Sequence, residues 1–175
     1  MSKKILTPRL IFIVSAIVIA AIYRLIPHIP NFTPIAAMAL FGGASIQRKA
    51  LAFIIPMTAM FCSDLLIGFH STILAVYLCF AISVGIGMLI SKKMNAVSII
   101  TASVASSIIF FVITNAAVWF TGMVGYPMNF AGLVSCYAAA LPFFRTEIMG
   151  TLVFNTVFFG SLLLAAKRFP VLARV

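Results

Sequence analysis

The chain has 175 residues, 64% of them hydrophobic and only 8% charged, with a mean hydropathy of +1.24 and a formal net charge of +10. A soluble domain of this length displays roughly 25% charged residues, so the composition excludes one and points to a surface that faces lipid. Nucleic acid is excluded as the reason for the basic excess, because the lysines and arginines stand in small groups at the ends of apolar runs, where they act as topology signals.

The first such group is Lys3, Lys4 and Arg9, ahead of LIFIVSAIVIAAIY. This resembles the start of a signal peptide, but no A-x-A cleavage site follows before Arg24 and further apolar runs come after it. A retained first helix is expected. A helix needs about 20 residues to cross about 30 Å of hydrocarbon, and that template gives six spans: 9–26, 33–47, 50–68, 72–91, 96–120 and 147–166. The second is short and carries Gly42 and Gly43, which permit close helix packing.

Between the first two spans the chain reads IPHIPNFTPIAAMALFGGA, residues 26–44. Pro27, Pro30 and Pro34 end one helix and start the next near its first turn, and Asn31 is a natural N-cap for that start. A stiff lip carrying His28 and Asn31 is expected. Residues 121–146 are less apolar and bounded by Gly125, Pro127 and Pro142, which suggests a short interfacial or re-entrant helix at about 129–141. A seventh crossing is the alternative.

Basic residues in short loops decide between them. With the N-terminus inside, ten of the twelve fall on the cytoplasmic side only if there are six crossings: Lys3, Lys4, Arg9, Arg48, Lys49, Lys92, Lys93, Lys167, Arg168 and Arg174. The expectation is one domain, an all-α integral membrane protein of six transmembrane helices, with both termini cytoplasmic and the short helix before the last span.

This topology gathers the remaining ionisable groups at the outer face. Arg24 and His28 end helix one, Asn31 opens helix two, Asp64 lies near the end of span three with His70 in the turn after it, Asn115 and Trp119 close span five, and Arg145 and Glu147 lead into span six. Glu147, Thr151 and Asn155 recur at i, i+4 and i+8, so they share one face of the last helix. A polar stripe in lipid must turn inward, either to join helices or to line a cavity. Arg24, His28, Asn31, Asp64, His70, Asn115, Trp119, Arg145, Glu147 and Asn155 are the candidate substrate-binding residues. The plainer alternative is that Asp64 and Glu147 pair with Arg24 and Arg145 as structural ion pairs. Cys62, Cys79 and Cys136 have no metal-ligand spacing and read as small buried hydrophobes. No metal site or cofactor is expected.

The stretches LIPHIPNFTPIAAMALFGGA, CSDLLIGFH, ITNAAVW and YAAALPFFRTEIMG resemble an uncharacterised family of small bacterial inner-membrane proteins, similar to the substrate-binding S components of energy-coupling factor (ECF) transporters. The resemblance implies a multi-pass protein of the bacterial inner membrane that takes part in vitamin uptake. It would capture a vitamin-like small molecule or metal compound at its outer face, and a membrane T subunit with two cytoplasmic ATPases would drive transport. It also implies small residues on the first helix for the T subunit, a role open to Ala16 and Ala20. A cobalamin-type ligand approached by His70, and riboflavin-, biotin- or thiamine-like molecules, all stay open.

Catalysis is not expected. Only two carboxylates exist, and no H-E-x-x-H, G-x-S-x-G or P-loop pattern is present, so ATP-driven transport would need a motor on another chain. A structural or assembly subunit, and then an integral membrane enzyme, are the alternatives to a substrate-binding component.

Overall fold

The structure, a computed structural model, describes residues 6–173. Lys3, Lys4 and Arg174, counted among the topology signals, lie outside the described residues. Six helices follow in chain order: α1 (Pro8–Tyr23), α2 (Ile35–Ser45), α3 (Lys49–Ile67), α4 (Ile73–Ile90), α5 (Ala96–Phe120) and α6 (Phe130–Arg168). A single 3-10 turn, Pro170–Leu172, comes after them, and there is no strand among the described residues. α3 to α6 are long and apolar enough to cross a membrane, whereas α1 and α2 are shorter apolar helices. Large apolar side chains such as Leu74, Leu89 and Phe130 are turned outward. Together these features point to a multi-pass membrane protein.

Local chemistry sets the helix starts. Thr7 accepts the Leu10 amide at 3.2 Å with Pro8 in the first turn, Asn95 accepts the Ser98 amide at 2.8 Å, and Asn129 accepts the Gly132 amide at 2.9 Å. Asn31 does not do this for α2. Pro34 occupies the cap position without a side-chain bond, and Asn31 sits three residues earlier in a left-handed turn, with φ 61°. Asparagine is one of the few residues that tolerate that conformation, which explains its place there.

α2 is the centre of the bundle. All its residues from Ala36 to Ser45 are buried, and it touches each of the other five helices. Small side chains make this possible. A methyl group on Gly43 would fall 2.1 Å from the Val84 carbonyl oxygen, and one on Gly87 2.3 Å from the Leu40 oxygen. The backbones of α2 and α4 therefore meet directly, as tight membrane helix pairs do.

The separate helix expected at 129–141 is absent. Its residues form the front of α6, which runs without a break through Pro142. The proline withholds one N–H from the Ala138 carbonyl but does not end the helix, because the front half is already held against α5. Cys136 Sγ contacts the Asn115 oxygen at 3.6 Å and Tyr137 Oη donates to the Val112 oxygen at 2.5 Å. Farther on, Ser107 meets Glu147 and Asn155 meets Ser103, so α5 and α6 form one antiparallel hairpin. At 1.5 Å per residue α6 is about 58 Å long, and part of it must extend past a hydrocarbon layer of about 30 Å.

Helix α1 turns its small residues toward the bundle. Ala20 is buried and Ala16 packs against the core, so this small-residue face is already used inside the chain. The outward face of α1 is instead made of Ile11, Val18, Ile19 and Ile22. The spacing marks a helix face made for close contact but does not tell an internal partner from an external one. Cys79 and Cys136 are buried as expected, while Cys62 is exposed.

Candidate functional site

The ends of α1, α3 and α5 and the starts of α2 and α4 meet at one end of the bundle, with the middle of α6 beside them. A cavity of about 330 Å³ lies there. Of the ten candidate residues, Arg24, Asn31, His70, Asn115 and Glu147 line it. Its apolar wall holds Phe110 and Phe111 from α5 and Phe143 and Phe144 from α6. The rings of Phe111 and Phe144 pack with centroids 4.7 Å apart.

Arg24, the residue after α1, is held by α3. Its Nη2 donates to Asp64 Oδ1 at 2.7 Å, while its Nη1 reaches the Ser63 hydroxyl and the sulfur of Met60 at 3.1 Å. Asp64 also accepts the Tyr77 hydroxyl through Oδ2 at 2.8 Å. The two charged side chains are 9% and 4% exposed. This network ties α1, α3 and α4 together at the rim, and Asp64 serves Arg24 rather than lining the cavity. Tyr77 carried no sequence signal, being one more aromatic in an apolar run.

The second acid is different. Glu147 is 9% exposed, and its Oε1 accepts the hydroxyls of Thr151 at 3.0 Å and Ser107 at 3.3 Å. Its Oε2 is buried without a partner. Among the described residues Arg24–Asp64 is the sole ion pair, so Glu147 has no cation within 4 Å, and of the two structural pairs offered as the plainer alternative only one is made. Arg145 stands exposed on α6.

Asn155, two turns farther along α6, leaves this site. It is buried and donates to Ser103 Oγ at 2.7 Å, as a contact between α5 and α6. It borders a separate hollow of about 540 Å³, shared with Arg9 and Asn95, so the stripe faces inward but its members do not share one cavity. Asp64 and Asn155 thus go to separate helix contacts, and the cavity is built without either.

The remaining candidates lie around the rim. His28 is outside the lining; its Nδ1 is 2.6 Å from the Ile26 oxygen and its ring packs on Tyr23. Trp119 is outside too, donating from Nε1 to the Pro127 oxygen at 2.9 Å and fixing the turn that leads into α6. His70 is exposed at the cavity, with Nδ1 3.0 Å from the Thr72 hydroxyl. Thr72 and Thr114 also line the cavity and were not among the candidate binding residues, nor were the four phenylalanines among 17.

The sequence model of a family of unknown function, DUF6580, matches residues 4–172. No curated protein and no solved structure matches the chain.

Proposed function

Starting from a chain that belongs to the DUF6580 family, whose description assigns no activity, we propose a membrane-embedded substrate-binding component of a transporter, similar to ECF S components. It captures a vitamin-like small molecule at its outer face, in the bacterial inner membrane, and hands it to a T subunit driven by cytoplasmic ATPases. One observation carries the reading: a cavity at one end of the bundle that combines aromatic walls with a few convergent polar groups, Asn31, His70, Asn115 and Glu147. Small-molecule sites have this make-up. At about 330 Å³ it lies at the lower end of the ~300–1,000 Å³ usual for such sites, which favours a compact ligand over a corrinoid.

We read the topology as six crossings with both termini cytoplasmic. α2 alone, at about 16 Å, is too short to cross. Ile46 leaves it in extended conformation and the chain bends at 47 and 48 before α3, so the reading rests on Arg48 and Lys49, whose charges mark this end as cytoplasmic. The cavity then faces outward.

The test is to purify the protein from its native host and identify small molecules that co-purify by mass spectrometry. His70→Ala and Asn115→Ala are expected to lose the ligand while retaining expression. A protein that carries nothing, with variants indistinguishable from wild type in binding, overturns the reading. A structural or assembly subunit is the second reading, and the closed Arg24–Asp64–Tyr77 network favours it.

A further inference from the structure

We propose that the ligand is a small monocationic nitrogen compound, a protonated amine or an aromatic cation, whose positive end meets Glu147 Oε2. The apolar body of the ligand lies against Phe110, Phe111, Phe143 and Phe144. This deepens the preceding reading and rests on the cavity being a ligand site.

The charge inventory of the cavity carries the argument. Arg24 and Asp64 neutralise each other, and the guanidinium directs donors to Asp64, Ser63 and Met60. Glu147 is thus the one acid at the cavity without a counter-cation, in a chain whose net charge is +10. The positive charge is elsewhere, and the nearest basic residue along α6, Arg145, points outward. A buried carboxylate oxygen without a donor is costly, and a ligand N–H at Oε2 removes that cost. Thr151 and Ser107 hold the other oxygen, so the carboxyl group is oriented before any ligand arrives.

The same inventory disfavours an anion. A carboxylate or phosphate entering this space meets an arginine already paired, a carboxylate of its own sign, and His70 as the sole other basic group of the lining. Aromatic faces beside the acid add to the preference for a cation, since ring faces attract positive charge.

A matched set of probes tests this on the purified full chain in nanodiscs: 2-phenylethylamine, 2-phenylethanol and phenylacetate, followed by calorimetry and thermal shift. The amine is expected to bind roughly ten- to a hundredfold more tightly than the alcohol, the range set by a hydrogen bond to a charged group, and the acid more weakly still. Glu147→Gln keeps the side-chain shape and is expected to erase the preference for the amine. Glu147→Asp keeps the charge and is expected to retain the preference at lower affinity, which preserves the test if the glutamine variant does not fold. Alcohol or acid binding as tightly as the amine, or an undiminished preference in Glu147→Gln, overturns the cation assignment and leaves the binding reading standing. Absence of saturable binding by all three probes overturns both.

Discussion

Replacing Asp64 with leucine strips Arg24 of its buried counter-charge. The guanidinium, 2.7 Å from Asp64 Oδ1 and 9% exposed, would lose the one ionic partner it has among the described residues, and the Tyr77 hydroxyl would lose its acceptor. Breaking a buried pair from one side costs about 3–5 kcal/mol, because the remaining charge stays desolvated. Removing both partners is different: Arg24→Met with Asp64→Leu substitutes apolar groups of similar size and is expected to return to within about 1 kcal/mol of wild type. The four proteins form a double-mutant cycle; with either single variant costing about 3–5 kcal/mol and the double within about 1, the expected coupling is at least about 5 kcal/mol. Reversible unfolding by SDS in mixed micelles, read from the single tryptophan, measures it. A cost below about 1 kcal/mol for Asp64→Leu, or a double variant as unstable as the two singles together, would refute the reasoning.

Three further outcomes follow from packing and hydrogen bonds. Gly43→Ala drives a methyl group into the Val84 carbonyl and is expected to destabilise by about 1–3 kcal/mol, whereas Gly85→Ala, at the next residue of α4 with open space around it, is expected to stabilise by about 0.5 kcal/mol in the same SDS titration. Asn155→Ala removes the bond to Ser103, costs about 0.6–2 kcal/mol, and leaves ligand retention unchanged, since Asn155 lies outside the cavity. Trp119→Phe deletes the bond to the Pro127 oxygen, and limited proteolysis is expected to cut within 121–129 faster than in wild type.

Helical spacing carried the inward stripe of α6 well. Glu147, Thr151 and Asn155 are all buried on one side, as the four-residue period requires. Spacing did not tell depth from sharing: eight residues along a helix are about 12 Å, far enough to take Asn155 out of reach of the cavity. Pro142 misled for a related reason. Its local preference to interrupt a helix is overridden by contacts such as Tyr137 to Val112, which are invisible until the two helices are paired. Ala16 and Ala20 show the same limit, because an A-x-x-x-A face reports close approach and not the identity of the neighbour. Asp64 and Arg24 were legible as possible partners because charges are so few, but Tyr77, which completes the network, could not be told from any other tyrosine. The four phenylalanines of the cavity are equally anonymous in a lipid-soluble sequence.

An experimental structure of the chain purified from its native host without added ligand tests the cavity most directly. Non-protein density between Glu147 and the phenylalanine wall, with a nitrogen donor at Oε2, is the predicted result. A cavity filled by the chain's own side chains, with Glu147 paired to one of its own basic residues, would contradict it.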